Sequence, residues 1–162
     1  MDERNLVIYG LVPTDLESLR EPNGVGSRGG KVGAHGLHAG NQILKYADTQ
    51  LVKDYIADGI AQGADTFNTC ITLDVTSTEI EYIVECARQL GYIGDVVIDP
   101  TYPWFVDMEV APFLNNDCTL VPSVIKDNKM LVTRSAVTFG WILGDVNDPI
   151  FKNMVSQLNL AK

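Results

Sequence analysis

A strand, a helix and a second strand follow one another in the middle of the sequence, and this succession constrains the fold more than any other feature. Residues 67–75 form a strand-length run of β-branched and apolar residues, and Thr76 followed by Glu79 matches a capping box at the start of a helix. Apolar residues then recur at helical spacing as far as Gly91, which suits a left-handed C-terminal cap. The apolar residues 96–98 predict a short buried strand. We therefore expect an α/β fold.

The rest of the chain continues this alternation of strands and helices. Further elements are expected at residues 6–12 and 136–144 as strands, at residues 31–46 and 49–62 as helices, and after Asp148-Pro149, an N-cap and first-turn proline, as a last helix. This order predicts an α/β three-layer sandwich. Its sheet is expected to be mixed and mostly parallel, with about four strands and with helices on both faces.

We expect residues 1–162 to form a single domain, because this length and a hydrophobic content of 46% are enough for one core. Pro100 is expected to end the strand that begins at residue 96. Residues 103–134 then contain three prolines and several turn-forming residues. This pattern predicts an insert of irregular structure with a hairpin.

The predicted helix at residues 31–46 is rich in small residues. Gly33, Gly36 and Gly40 would each destabilise an isolated helix by about 1 kcal/mol relative to alanine. We therefore expect another part of the backbone, or a ligand, to approach this helix closely. The preceding glycine-rich residues 23–30 are interpreted as a loop.

The net charge of −9 argues against a general affinity for nucleic acid, because phosphate binding needs clustered Lys and Arg. Residues 28–47 are an exception, with three bases, both histidines and no acid, so any contact with RNA is expected to be local. No apolar run reaches the roughly 18–20 residues that cross a bilayer, and the acidic N-terminus does not resemble a secretory signal. We therefore expect no membrane partner and a cytoplasmic location. The cysteines are expected to be buried, reduced thiols.

Two turns are candidates for a functional site. Gly30 and Lys31 stand where a helix could begin, so backbone N–H groups and an ammonium could face an oxyanion there. Asp99 leaves a carboxylate at the end of an apolar strand. Because ligands of open α/β sheets bind beyond strand ends, Lys31 and Asp99 are expected to meet if both turns lie at one edge.

Three blocks of the sequence resemble the type 2 peptidyl-tRNA hydrolases, and they occur in that family's order. GKVGAHGLHA is similar to the family's glycine-lysine opening with a histidine-alanine pair, and it places Lys31 and His38 on motif positions. ITLDVTSTEIEYIVECARQLGYIGDVVIDP resembles the family's strand, helix and strand that end in the catalytic aspartate, here Asp99. TFGWILGD resembles its last strand, with Thr138 on the threonine position.

The resemblance implies hydrolysis of the ester that joins a peptide to the terminal ribose of a tRNA, with no metal and no organic cofactor. In the catalytic roles it implies, Lys31 stabilises the oxyanion and Asp99 orients Lys31 or polarises water. Thr138 would hold the water, and His38 would orient the segment that carries the lysine. Peptidyl-tRNA is then the expected partner, and a homodimer is left open.

The chain departs from the family at positions near its motifs. His35 stands where the family has a glutamine, and Tyr102 and Pro103 stand where it has an arginine and a threonine. The hydroxyl of Thr101 could partly substitute for that of the missing threonine. We assign substrate contacts to Gly30, His35, Thr101 and Tyr102, and we interpret the chain as a diverged family member with insertions.

Several of these residues also have a plainer interpretation. Asp99 could bind its own backbone in an Asx turn, and Thr138 could simply suit a β-strand. His35 and His38 could bind zinc from one helix face, but no further ligand has a recognisable spacing. Trp104 and its aromatic neighbours could stack on nucleotide bases or anchor the insert in the core.

Two functions compete with peptidyl-tRNA hydrolysis. The chain could be a non-catalytic binding protein that keeps the hydrolase fold, because the positions after Asp99 are altered. It could also be a small-molecule esterase whose pocket is covered by residues 103–134. The two enzymes differ in whether the tRNA body is needed for turnover.

Overall fold

The structure is a computed structural model that describes residues 4–16, 28–63 and 68–161, without the side chains of residues 28–31. The helices and strands are β1 (Leu6–Pro13), α1 (Arg28–Ile43), α2 (Gln50–Ala61), β2 (Cys70–Val75), α3 (Ser77–Gln89), β3 (Ile93–Asp107), β4 (Thr119–Lys126), β5 (Lys129–Asp145), α4 (Pro149–Ser156) and β6 (Asn159–Leu160). Short 3-10 turns lie at Leu44–Tyr46 and Ala111–Phe113.

One mixed sheet contains all six strands, in the order β3-β5-β1-β2-β6, and β4 pairs with the part of β5 that β1 does not reach. β1 and β2 are parallel, whereas the other pairings among the described residues are antiparallel. The α/β class is confirmed, but the predictions of about four strands and of a mostly parallel sheet are wrong. The reason is that no α-helix lies between β3 and β4 or between β4 and β5. Neighbouring strands become parallel only when a long crossover connects them.

The predicted insert at residues 103–134 extends the sheet instead of leaving it. β3 passes through Pro100, and its pairing with β5 resumes at Tyr102 after a register shift. The predicted hairpin is present between β4 and β5, where Asp127 and Asn128 have φ angles of 52° and 60°. The expected strand end at Pro100 is wrong, because a bulge can remove a proline from the hydrogen-bonded ladder. The expected irregular structure is found only at residues 108–118, between β3 and β4.

Helices cover both faces of the sheet, as predicted. One core cluster joins Ala39 of α1 and Val52 of α2 to Trp141 in β5. A second cluster, on the opposite face, contains Ile80 of α3 and Phe151 of α4. Alternate residues of β1 belong to the two clusters, as expected for a strand that is buried on both sides.

Glycine in β5 allows α3 and α4 to approach the sheet closely. A Cβ at Gly140 would collide with the side chain of Ile80 in α3, and a Cβ at Gly144 would collide with the ring of Phe151 in α4. Any larger residue at these positions would separate a helix from the sheet. The position of β5 relative to both helices therefore depends on having glycine, which has no side chain, at these two positions.

The predicted ends of two helices are confirmed, whereas the N-cap of α2 at Thr49 was not predicted. Thr76 forms a complete capping box with Glu79 at the start of α3. Gly91 follows α3 with a φ angle of 86°, and Asp148 accepts hydrogen bonds from the first backbone N–H groups of α4. These signals were read correctly because each depends only on residues that are close in the chain.

Several predicted boundaries differ from the structure. β3 begins at Ile93 and β5 at Lys129, before the expected residues 96 and 136. α1 begins at Arg28, so the interpretation of residues 23–30 as a loop is wrong for its last three residues, and residues 23–27 lie outside the described part of the chain. β2 begins at Cys70, whereas residue 67, the expected first residue of that strand, also lies outside the described part. The early start of α1 changes the setting of Gly30 and Lys31, which are now helical.

The cysteines are free, but they are not buried as expected. Cys70 is exposed, and Cys86 and Cys118 are partly exposed. Cys70 is the first residue of its strand, so its side chain lies at the border of the core and not inside it. Among the helices of the described residues, none has the length and apolar character needed to span a membrane.

Replacing Thr76 with alanine is expected to lower the free energy of unfolding by about 1 kcal/mol, because the N-cap acceptor of α3 is lost. Thr76→Ser keeps the hydroxyl and should lie close to the wild type. Urea denaturation followed by circular dichroism measures both variants. Equal stabilities for Thr76→Ala and Thr76→Ser would show that the capping box does not stabilise α3.

The capping box also predicts a pH dependence. The backbone N–H of Thr76, and then its hydroxyl, donate to the Glu79 carboxylate and hold its pKa below the ordinary value. The carboxylate therefore stabilises the fold above the pKa of the unfolded chain, and this contribution is lost as pH falls through the lower folded pKa. Between neutral pH and about pH 3, the wild type should lose more stability than Glu79→Gln. Parallel losses in the two proteins would contradict this linkage.

Candidate functional site

A β-bulge in β5 turns Thr138 toward α1. Val97 of β3 pairs with Phe139, while the next residue, Ile98, pairs with Val137, so Thr138 has no partner in β3. An extra residue of this kind interrupts the alternation of side chains along a strand. Thr138 therefore reaches α1, on the same face as Phe139.

The hydroxyl of Thr138 lies between His35 and the backbone of β3. Its Oγ1 is 3.1 Å from Nδ1 of His35 and 3.3 Å from the carbonyl oxygen of Val97. Thr138 is 1% exposed and His35 is 9% exposed, so water has little access to this pair. A hydroxyl has one proton: if it donates to Val97, it accepts from Nδ1–H, and if it donates to Nδ1, a neutral ring carries its proton on Nε2. The hydroxyl thus couples the tautomer of His35 to the backbone of β3.

His35 and His38 lie in the wall of an open cavity between α1 and the edge strand β3. Its volume is about 430 Å³. The ring centroids of the two histidines are 6.1 Å apart. His38 is exposed, and its ring nitrogens bond to none of the described residues. The cavity is lined by His35, His38, Gln42, Val97, Ile98, Asp99 and Pro100.

Asp99 brings a carboxylate to the same cavity. It lies between two register shifts of the β3–β5 ladder, so the regular pairing of the two strands is interrupted on both sides of it. Its Oδ1 accepts the backbone N–H of Thr101 at 2.9 Å, which is the Asx turn of the plainer interpretation. Its Oδ2 has no hydrogen-bond partner in residues 4–16, 28–63 or 68–161. One carboxylate oxygen is therefore available to water or to a ligand.

Gln42 is part of this wall, although the sequence interpretation did not select it. Its Nε2 donates to the carbonyl oxygen of Val96 at 2.7 Å, and its Oε1 accepts from Nε1 of Trp141 at 3.1 Å. The amide therefore fixes α1 to both β3 and β5. A usable signal was present, because Gln42 follows His35 and His38 at a spacing that keeps them on one helical face.

Lys31 and Gly30 lie in the first turns of α1, and the side chain of Lys31 lies outside the described part of the chain. Lys31 precedes His35 by about one helical turn, so its backbone is near the same end of the cavity wall. The expected meeting of the Lys31 ammonium with Asp99 stays a prediction. Gly30 belongs to the helix, where the first backbone N–H groups have no partner within the helix.

The other expected substrate contacts are divided between two places. Thr101 donates its backbone N–H to the carboxylate of Asp99, but it does not itself line the cavity. Tyr102 is 4% exposed and packs with Leu16 in a separate apolar cluster. It lines a different cavity, together with Trp104. The structure therefore brings together His35, His38, Asp99 and Thr138, and it places Tyr102 elsewhere.

A second, apolar cavity of about 590 Å³ lies on the other side of α1. Gly33, Gly36 and Gly40 line it, and a Cβ added to any of them would meet no described atom within 4 Å. The close backbone approach expected for these glycines is therefore not found in the described part of the chain. Tyr55 of α2 also borders this cavity, where burial, followed by the neighbouring Cys70 thiol, raises the pKa of its hydroxyl to about 12.

Comparison with known proteins adds no assignment to this geometry. Searches against protein-family models and curated proteins found no match for this chain. Within the described residues, no group of three or more His, Cys, Asp and Glu side chains has an arrangement that could hold a metal ion. The polar groups that the described residues bring to the site are the imidazoles of His35 and His38, the carboxylate of Asp99 and the hydroxyl of Thr138.

Thr138→Val is expected to lower the free energy of unfolding by about 1–3 kcal/mol, because it removes a buried hydroxyl and leaves His35 without that partner. Thr138→Ser retains the hydroxyl and should lose less. Thr133→Val is a matched control, since Thr133 lies on the same strand and its side chain bonds to no described residue. Denaturation curves compare the three variants, and equal losses in Thr138→Val and Thr133→Val would show that the pair with His35 is not stabilising.

Proposed function

We propose that this chain hydrolyses the ester bond of peptidyl-tRNA and is a diverged relative of the type 2 peptidyl-tRNA hydrolases. One observation carries the proposal. Residues from all three blocks of family resemblance, distant in sequence, gather around one open cavity: His35 and His38, Asp99, and Thr138 through its bond to His35. Such convergence of polar side chains in one cleft is what an ester hydrolase needs.

Hydrolysis of the ester requires a base for water and positive charge for the developing oxyanion. Asp99 Oδ2 and the exposed His38 ring are the available proton acceptors in the cavity. Water loses its proton to one of them as its oxygen attacks the carbonyl carbon. The bond to the ribose oxygen then breaks, and that oxygen takes up a proton. Lys31 is assigned to the oxyanion, as the family resemblance implies.

The burial of Thr138 changes the role that we assign to it. A side chain that is 1% exposed and bonded to His35 and Val97 is poorly placed to hold the attacking water itself. We instead assign Thr138 to the orientation of His35. His35 would then replace the family's glutamine as the polar group that contacts the substrate from the cavity wall.

A non-catalytic binding protein is the second candidate, and two contacts favour it. Asp99 uses one carboxylate oxygen to close an Asx turn with Thr101, so its function at this position is partly structural. Tyr102, at a position where the family has arginine, is buried away from the cavity. A cation that would contact phosphate is therefore replaced by a core residue.

Turnover of peptidyl-tRNA by the wild type and by Asp99→Asn tests the proposal. Asparagine can still accept the Thr101 N–H, so the turn is kept while the proton acceptor is lost. We expect the rate to fall about 100-fold or more, whereas Asp117→Asn, which removes an exposed turn carboxylate, should change little.

Lys31→Ala should also lower the rate about 100-fold, with Lys45→Ala as the control from the same basic segment. A well-folded wild type that releases no peptide would overturn the hydrolase and favour the binding protein. Equal turnover of peptidyl-tRNA and of a simple ester that lacks the tRNA body would point to a small-molecule esterase.

A further inference from the structure

The sheet extension formed by β3, β4 and β5 contains a separate cavity of about 310 Å³. Tyr102, Trp104 and Val106 alternate along β3 and form one wall of it. Leu114 and Asn115, from the connection to β4, also line it. This volume is at the small end of the range for ligand pockets, about 300–1,000 Å³. The cavity belongs to the segment that the family resemblance does not cover.

Arg134 gives this cavity a positive charge that forms no ion pair with the described residues. Its guanidinium carbon lies 4.5 Å from the centroid of the Trp104 ring, in a cation–π contact. The side chain is exposed, and it forms no hydrogen bond or ion pair with the described residues. Its N–H groups therefore stay available to an anion. Most described Lys and Arg side chains have no acidic partner within 4 Å, and Arg134 is the base that lines this cavity among the described residues.

The remaining polar groups fit a planar, hydrogen-bonding ligand. The side-chain amide of Asn115 has no hydrogen-bond partner in the described part of the chain. Asp15 also lines the cavity, but its two carboxylate oxygens accept the N–H and hydroxyl of Ser77 at 2.8 and 2.7 Å. Its charge is thus held at the N-terminus of α3. The Trp104 ring, the free amide and the guanidinium match a nucleobase joined to a phosphate, while the carboxylate of Asp15 is already bonded to Ser77.

This cavity adjoins the proposed active site. Ala136 packs against the cluster of Leu16 and Tyr102, and it is the direct partner of Asp99 in the β3–β5 ladder. Side chains of opposed residues in an antiparallel pair lie on the same face, about 4.5–5.5 Å apart at Cβ. The carboxylate cavity and the Trp104 cavity are therefore neighbours on one face of the same two strands.

We propose that the cavity between Trp104, Asn115 and Arg134 binds a nucleoside monophosphate unit. The base lies against Trp104, the amide of Asn115 bonds to its edge, and the guanidinium of Arg134 binds the phosphate. The unit is either a free nucleotide or the 3′-terminal nucleotide of an RNA. Only the second source depends on the proposed function, because binding of a nucleotide needs no hydrolysis.

Tryptophan fluorescence provides the test. The chain has two tryptophans, and Trp141 is 1% exposed, so quenching by a ligand reports on Trp104. We titrate the full chain with 5′-AMP, adenosine and a short RNA that ends in CCA. 5′-AMP should quench with saturation, and adenosine should bind about tenfold more weakly because it lacks the phosphate. Trp104→Phe should remove the signal.

Arg134→Gln should weaken 5′-AMP binding about tenfold, whereas Lys126→Gln, which removes an exposed charge from neighbouring β4, should not. Tighter binding of the RNA than of 5′-AMP identifies the RNA end as the ligand, and equal affinities identify the free nucleotide. Absence of saturable quenching by 5′-AMP and by the RNA overturns the proposal, as do equal effects of Arg134→Gln and Lys126→Gln.

A wild type that binds 5′-AMP but releases no peptide from peptidyl-tRNA contradicts only the proposed hydrolase, whereas turnover without nucleotide binding contradicts only this site.

Discussion

The antiparallel pairing of β3 with β5 determines where the polar groups of this molecule lie. The ladder is interrupted by an extra residue in β5, Thr138, and then by an extra residue in β3 after Asp99. The second interruption compensates the first, so the pairing beyond Tyr102 resumes in its original register. The two strands therefore continue as a regular extension, while the short segment between the bulges presents a hydroxyl toward α1 and a carboxylate toward solvent. In a regular ladder, each of these two side chains would point to the face of the sheet that the alternation along its strand dictates.

The features that the sequence could predict are those set by neighbouring residues. The capping box of Thr76 and Glu79 and the left-handed Gly91 require contacts only within a few positions. Strand partners are different, because pairing is decided by which surfaces become available after the chain has turned. Pro100 illustrates the limit: its missing N–H indicates a strand end locally, yet the bulge beside Asp99 lets β3 continue past it. A mostly parallel sheet was expected for the same reason, because no local signal showed that β3 and β5 would pair with each other as antiparallel strands.

The candidate site shows the same division. The resemblance inferred from short motifs selected His35, His38, Asp99 and Thr138, but it could not indicate that Thr138 would bond to His35 and not to a water molecule. That contact arises from a bulge, which is a property of two strands together. Where the family has a neutral amide, this chain has an imidazole whose donor and acceptor atoms depend on the tautomer. A threonine hydroxyl can serve as donor or acceptor, so it is compatible with either tautomer, whereas a fixed carbonyl would require one.

The acidic surface makes the location of each unneutralised base important. Arg4 and Arg88 lie 3.3 and 3.4 Å from carboxylates of Asp54 and Asp95, so part of the positive charge is already balanced. Arg134 has no such partner among the described residues, and it lies on the strand pair that also carries the Asp99 cavity. Charges in water at physiological salt act over only about 8 Å, so a polyanion responds to the local arrangement more than to the total of −9. An acidic protein can therefore contact the end of an RNA, provided that the contact is confined to places where a cation without an acidic partner lines a cavity.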